Sequence, residues 1–230
     1  MKLCTILGGD SDIAKGLMPL LTDYKVSTWA RDQELPYVRW DLIIVAIGKV
    51  APVGLWESQG NERWDECIRS NLLLPAKLLR RLWHLRNPDA KVCWLAGSNP
   101  NAIMPGYSAY NTSKMAVLKL VEQIDAESPD VTLFALGPGI TDTKIHNATK
   151  EEAWPNPRLD RAMIDKSWTK IEDIYACLKW CIDQTKEVVG GRNICVSDGV
   201  DFLAVELANK PSLFKLRRDE NKTLFKGIEA

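Results

Sequence analysis

Tyr110 and Lys114 stand four residues apart in the run Tyr110-Asn111-Thr112-Ser113-Lys114. Positions four apart on a helix share a face, so a phenol that can exchange a proton and an ammonium that can shift its ionisation address one site. A second cluster lies near the start of the chain, where the apolar run Leu3 to Leu7 enters Gly8-Gly9-Asp10-Ser11-Asp12-Ile13-Ala14 and an amphipathic helix begins. A glycine turn at such a junction lets the backbone approach a pyrophosphate at the helix N-terminus, where free amides and the helix dipole favour negative charge. Asp12 is the N-cap that this pattern suggests. Metal chemistry finds no support: the two histidines, His84 and His146, are far apart, and the six cysteines are scattered without a CxxC pair. That cysteine usage suits a reducing cytoplasm. Cys177 and Cys181 share a helical face and read as small buried hydrophobes.

The elements that must position these groups follow from apolar periodicity. Short apolar runs at Leu3 to Leu7, Tyr24 to Trp29, Leu42 to Ile47, Lys91 to Leu95, Val131 to Leu136 and Asn193 to Val196 have strand length. Helical patterns lie between them at Asp12 to Leu21, Trp64 to Leu85, Ser108 to Glu127 and Ile171 to Thr185. Alternating strands and helices predict an α/β fold, a doubly wound, mostly parallel sheet of about six strands covered on both faces. With 230 residues the chain is expected to form one domain, 1–230. Lysine plus arginine equals aspartate plus glutamate, 30 against 30, so no overall field draws the protein to nucleic acid or an anionic membrane. No uncharged run reaches the ~20 residues of a membrane span, and no signal peptide is read at Met1, so a soluble cytoplasmic protein is expected. Residues 141–170, polar and carrying Pro155 and Pro157, predict a long mobile excursion that closes over a ligand as a lid. Trp154 and Trp168 flank it and are read as packing groups. A tail over 200–230 carries Leu213, Phe214, Leu224 and Phe225 amid charges, suited to docking on a partner subunit or folding back.

Further landmarks appear in order along the chain. Gly48 follows the third strand, Asn71 opens the apolar segment NLLLPAKLL, Gly97-Ser98 follows the fourth strand, and Pro105-Gly106-Tyr107-Ser108-Ala109 leads into Tyr110. Pro138-Gly139 is followed by Thr141 and Thr143, and a closing strand precedes Ser197-Asp198-Gly199. From about Leu3 to Gly199 the chain resembles the short-chain dehydrogenase/reductase family, with a Rossmann-type fold. The resemblance implies an NAD(P)-dependent oxidoreductase that moves hydride between a nicotinamide cofactor and a carbonyl or alcohol substrate. It implies Tyr110 as the acid/base, Lys114 as the ribose contact and the charge that favours tyrosinate, Ser98 as a hydrogen-bond partner of the substrate oxygen, and Asn71 as part of a proton relay. Moving a tyrosine from about 10 to about 7 takes roughly 4 kcal/mol, which one charge at ~4 Å supplies at an effective dielectric of 20. Implied cofactor contacts are Gly8, Asp10, Ser11, Asp12, Ile13, Arg31, Ala46, Ile47, Gly48, Tyr110, Lys114, Pro138, Gly139, Thr141 and Thr143. A homodimer or homotetramer acting on a small molecule is expected.

The departures from the family are equally specific. Asp12 and Ala14 replace glycines of the first turn, and Asp12 brings a carboxylate to the phosphate end unless it turns inward as a cap. Val45-Ala46-Ile47-Gly48 stands where the family has Asn-Asn-Ala-Gly, and Ser98 is one residue closer to the tyrosine than usual. Ala30 occupies the acidic place after the second strand and Arg31 follows it, which favours the 2′-phosphate of NADP over NAD. Only the 11 residues Ala30 to Trp40 separate the second and third strands. They span at most ~35 Å, too little for another helix-strand-helix, so the family's outer strand and its helices should be missing. A second function, a dinucleotide-binding regulatory or scaffolding protein without turnover, would suit the lost asparagines and the shortened adenine side.

Overall fold

The computed structural model describes residues 1–97, 102–199, 203–210 and 212–215. Six strands, β1 (Lys2–Leu7), β2 (Tyr24–Trp29), β3 (Trp40–Val45), β4 (Arg86–Leu95), β5 (Val131–Gly137) and β6 (Asn193–Cys195), form one sheet in the order β2-β1-β3-β4-β5-β6. Every neighbouring pair is parallel. The central strands are apolar on both faces, as β3 shows: Leu42 and Ile44 enter one layer, Ile43 and Val45 the other. The first layer holds Ala14 and Leu17 of α1 (Asp12–Leu17) and Ile174, Cys177, Leu178 and Cys181 of a later helix, Ile171–Asp183. The second holds Leu78, Leu79 and Leu82 of the helix Leu74–Leu82 and Val117 and Val121 of the helix Ser108–Glu127.

The shortened crossover is realised as expected. Residues 30–39, all described, contain no helix and no strand, and β2 is an edge strand. Gln33 closes the turn, its Oε1 accepting from the Ala30 amide at 2.9 Å and its carbonyl from Trp29 Nε1 at 3.0 Å. Leu35, 9% exposed, packs into the layer of Leu7, Trp40 and Ile43, the surface that a crossover helix would cover. Trp40 is fully buried and donates its indole N–H to the Leu82 carbonyl at 2.8 Å. Tyr37 is held by Arg81, whose Nε donates to the phenol at 2.8 Å.

The pattern Trp64 to Leu85 predicted one helix, and the chain forms two with a widened turn between them. These are α2 (Asn61–Ile68) and α3 (Leu74–Leu82), joined by a π-turn over Arg69–Leu73 in which the Leu74 amide donates to Arg69 O. Pro75 lacks the N–H that an α-helix directs at the Asn71 carbonyl, and the ladder widens ahead of it. The remaining helices are α4 (Ser108–Glu127), α5 (Asn147–Glu151), α6 (Pro157–Asp165), α7 (Ile171–Asp183), α8 (Lys186–Val189) and α9 (Leu203–Asn209). The segment 141–170, expected to be a mobile excursion, thus carries α5 and α6. Pro157 begins α6 with the fixed φ that a first helical turn favours, and Asn156 caps it by accepting from the Leu159 amide at 3.1 Å.

Beyond β6 the tail folds back as far as it is described. Arg192, 2% exposed, donates to the carbonyls of Glu187, Leu207, Lys210 and Leu213. Leu213 and Phe214 pack against the first layer, while Leu224 and Phe225 lie outside the described residues. Among the described residues no helix is long and apolar enough to cross a membrane. Because Leu35 is buried in the layer that holds Trp40, Leu35→Ala should lower the unfolding free energy by about 2 kcal/mol in urea titration. An unchanged midpoint would show that the loop does not seal the layer.

Candidate active site

α4 presents Tyr110 and Lys114 one turn apart to a cavity of about 320 Å³. Lys114 is 3% exposed; its Nζ donates to the Leu95 carbonyl at 2.9 Å and lies 5.8 Å from the Tyr110 ring centroid. Burial pushes the Tyr110 phenol up to about 12 and draws the Lys114 ammonium down to about 8. In this state burial holds the phenol above its usual value, and the Lys114 ammonium is turned to the Leu95 carbonyl.

Asn71 sits in the π-turn, fully buried, and its side chain is a clamp. Its Oδ1 accepts from the Lys49 amide at 2.7 Å, and its Nδ2 donates to the Lys49 carbonyl at 2.9 Å and to Ser113 Oγ at 2.8 Å. The Ser113 hydroxyl donates in turn to the Tyr110 carbonyl at 2.7 Å. Asn71 is therefore behind the cavity wall, fixing the loop after β3 to α4. Gly48 stands at the wall itself, where an added Cβ would lie 3.8 Å from Lys114 Nζ and 3.9 Å from Asn71 Oδ1.

The first turn departs from the sequence expectation in two respects. Gly8 has φ +97°, and a Cβ there would come within 2.9 Å of the Ala46 and Ile47 backbone, so glycine is required for packing against the β3 loop. The Gly8 and Gly9 amides both donate to the Trp29 carbonyl, at 2.7 and 2.9 Å, and so are not free for a ligand. The N-cap is Ser11, whose Oγ accepts from the Ala14 amide at 3.1 Å, and not Asp12. Asp12 Oδ2 instead accepts from the Lys144 amide at 2.7 Å, and Lys144 Nζ lies 3.7 Å from Oδ1 while donating to Asp10 O at 2.8 Å. The unwanted carboxylate is thus matched by a lysine from the opposite side of the cleft.

Of the residues marked in the sequence, Ser11, Asp12, Ile13, Ala46, Ile47, Gly48, Tyr110, Lys114, Pro138, Gly139, Thr141 and Thr143 line the cavity together. Gly8, Asp10, Asn71 and Arg31 do not, and Ser98 lies outside the described residues. Arg31 is exposed at the end of β2 and pairs with no carboxylate among the described residues; its charge and that of Arg63 add to Lys49 in holding the Glu66 carboxyl below its usual range. Thr141 Oγ1 is buried in the wall without a hydrogen-bond partner. Sequence reasoning missed Met104, Tyr107, Lys144, His146, Asn156 and Arg158, which also line the cavity. His146 is drawn below its usual value by burial, ahead of its contact with the Thr141 carbonyl, and is neutral at pH 7. The excursion carrying these residues is docked: the Tyr107 hydroxyl donates to Thr149 Oγ1 at 3.0 Å and accepts from Asn156 Nδ2 at 2.9 Å. Trp154 donates to the Pro105 carbonyl and packs on Gly106, and neither it nor Trp168 lines the cavity.

A family model described as enoyl-(acyl carrier protein) reductase, of the short-chain dehydrogenase/reductase type, matches residues 23–201, more than half of the chain. The chain belongs to the short-chain dehydrogenase/reductase family. Members are oxidoreductases that bind a nicotinamide cofactor and act on small molecules. An uncharacterized oxidoreductase of Schizosaccharomyces pombe is 25% identical over 118 residues, 49% of this chain. The chain spans about half the length of that curated relative, 48% of it. Aldohexose dehydrogenase of Thermoplasma acidophilum superposes with a TM-score of 0.71 at 17% identity, over 85% of this chain and 92% of that one. A short-chain dehydrogenase/reductase of Saccharomyces cerevisiae gives 0.75 at 15% identity, over 89% and 100%. A small-chain dehydrogenase solved in complex with NADPH gives 0.72 at 16%, over 86% and 98%. At such identities these likenesses concern the fold of this short-chain dehydrogenase/reductase.

The lowered ionisation of Lys114 carries a stability cost with a defined sign. With a folded value of about 8, below the ordinary lysine value, the buried ammonium is penalised at neutral pH, and stability rises as pH passes from about 8 to about 10.4, where only the unfolded chain still holds the proton. Lys114→Met should therefore be more stable than the parent at pH 7, by about 2 kcal/mol, and the gap should close above pH 8. Thermal unfolding at pH 7 and pH 9.5 tests this; a gap that widens with pH would contradict it.

Proposed function

We propose that this short-chain dehydrogenase/reductase is NADP-dependent and interconverts a carbonyl and an alcohol, with Tyr110 as proton donor and acceptor. The observation that carries this is the opening of Tyr110 and Lys114, one turn apart on α4, onto a cavity that also receives Gly48 and the Pro138-to-Thr143 loop. The residues present fit the cofactor. Thr141 Oγ1 is a buried, unpartnered polar atom in the wall, and Gly48 leaves backbone exposed beside Lys114. Ser11, Asp12, Ile13, Ala46, Ile47, Gly48, Pro138, Gly139, Thr141 and Thr143 would hold the dinucleotide between them. Gly8 and Asp10 support that set from the turn behind it. A bound nicotinamide dinucleotide supplies hydride to the substrate carbon or accepts it.

The chain's own part is proton transfer and positioning. With its phenol raised to about 12, Tyr110 is protonated at neutral pH, the form that donates to a carbonyl oxygen. Lys114, still charged below pH 8, has its ammonium on the same helix face and can leave Leu95 O for a ribose hydroxyl. Asn71 acts here as a positioning residue, and Ser98 is assigned to the substrate oxygen. Arg31, unpaired beside Ala30, meets the 2′-phosphate of NADP. The NADPH complex of a related fold is compatible with this preference. A single domain over 1–230 with a lid at 141–170 and a tail at 200–230, working as a cytoplasmic homodimer or homotetramer, completes the proposal.

Tyr110→Phe keeps the ring and its packing and removes the proton donor. Steady-state kinetics should show kcat falling by about 10²- to 10⁴-fold, while NADPH titration shows affinity nearly intact. Normal turnover in this variant would overturn the assignment of Tyr110. NADPH should bind more tightly than NADH, and Arg31→Ala should narrow the difference by about tenfold or more. Equal affinities in the unmodified protein would remove the argument from Arg31. Carbonyl reduction should hold steady from pH 6 to about 8 and then decline with the charge of Lys114; a rate that climbs through that point would contradict its role.

A further inference from the structure

The cavity wall is electrically lopsided. Among the described residues that line it, Asp12 is the sole carboxylate, while Lys114, Lys144 and Arg158 are cations. Lys144 is spent on Asp12 and Asp10, and Lys114 donates to the Leu95 carbonyl. Arg158 has no carboxylate partner among the described residues. A full positive charge in a ligand cavity without a counter-charge is an acceptor for an anion, and a guanidinium presents a planar fork that fits carboxylate and phosphate oxygens.

Arg158 is exposed at the mouth of the cavity, and the backbone that carries it is fixed. It is the second residue of α6, whose cap Asn156 accepts from the Leu159 amide and donates to the Tyr107 hydroxyl. Leu159, 2% exposed, anchors the next position of the helix. Tyr107 is three residues from Tyr110, and both belong to an apolar cluster with Val50, Met104 and Ile145, all of which line the cavity. One cavity therefore offers a proton donor, an apolar surface and, exposed at its edge, a cation with no carboxylate partner among the described residues.

We propose, taking the assignment of Tyr110 as the proton donor, that the substrate is an apolar carbonyl or alcohol compound that also carries an anionic oxygen group, carboxylate or phosphate, and that Arg158 receives this group. The remaining wall gives such a group no competing carboxylate, because Asp12 is already neutralised by Lys144. A neutral substrate of equal size gains the apolar contacts and leaves the guanidinium in water.

The experiment compares keto acids, levulinate and its longer homologues, with their methyl esters and with keto-alkyl phosphates of matching length, using NADPH and the full chain. The unmodified protein should favour the anion over the ester by about ten- to hundredfold in kcat/KM, the discrimination worth one charged hydrogen-bonded pair. Arg158→Ala should reduce that ratio towards one, Arg158→Lys should keep part of it, and Arg158→Glu should invert it. Whichever of the keto acids and keto phosphates has the higher kcat/KM identifies the group received. A ratio near one in the unmodified protein, or one that survives Arg158→Ala, overturns the proposal. Calorimetric binding of octanoate, which cannot be reduced, separates this from the assignment of Tyr110. Binding lost in Arg158→Ala supports the anion site even if no carbonyl is turned over, and binding insensitive to Arg158 rejects it even if Tyr110 proves catalytic.

Discussion

The two-sided grip of Asn71 on Lys49 is the interaction on which the site depends. One buried amide satisfies both the N–H and the carbonyl of a loop residue and donates to Ser113 as well, so the β3 loop, the α2/α3 helix pair and α4 are joined at one point. Each such bond contributes only about 1 kcal/mol net, but leaving buried partners unsatisfied costs more than the bonds supply. The position exists because Pro75 widens the helix one turn earlier. Gly48 is held against Lys114 by this network, and the spacing of Tyr110 from the wall follows from it.

Burial sets the charges of the site as firmly as proximity does. Tyr110 and Lys114 are each displaced towards their neutral forms, the phenol upward and the ammonium downward, because both are enclosed and neither has an anionic partner. The ammonium, one helical turn from the phenol, is in the folded chain turned to the Leu95 carbonyl. Tyr110 thus rests as the protonated phenol, with Lys114 held by the Leu95 carbonyl.

Much of the fold was legible because alternation of apolar runs reports burial on two faces, and because chain length limits a crossover: eleven residues forbid an extra strand whatever their identity. The Tyr110–Lys114 pair was legible for the same geometric reason, a spacing of four. Ser11 and Asp12 were not separable, since both residue types cap helices and only the folded path decides which faces the free amides. The amides of Gly8 and Gly9 were misjudged because strand composition does not reveal that Trp29 O reaches them. α6 had a signature, asparagine then proline, that marks a helix start, and it was passed over amid polar neighbours. Lys144 and Arg158 could not be found at all. A surface lysine or arginine in a polar stretch looks the same whether it faces solvent or a cavity.

Arg192 reads the tail by its main chain alone, through carbonyls of Leu207, Lys210 and Leu213. Carbonyls are identical for every residue type, so the arginine's grip itself sets no requirement on the side chains at those points. Exposed Lys210 is therefore free to change as long as the backbone path is kept, whereas the arginine is not, and neither are Leu207 and Leu213, which pack in the first layer. A comparison of orthologues should find the guanidinium kept together with apolar residues at 207 and 213, beside a position 210 that varies.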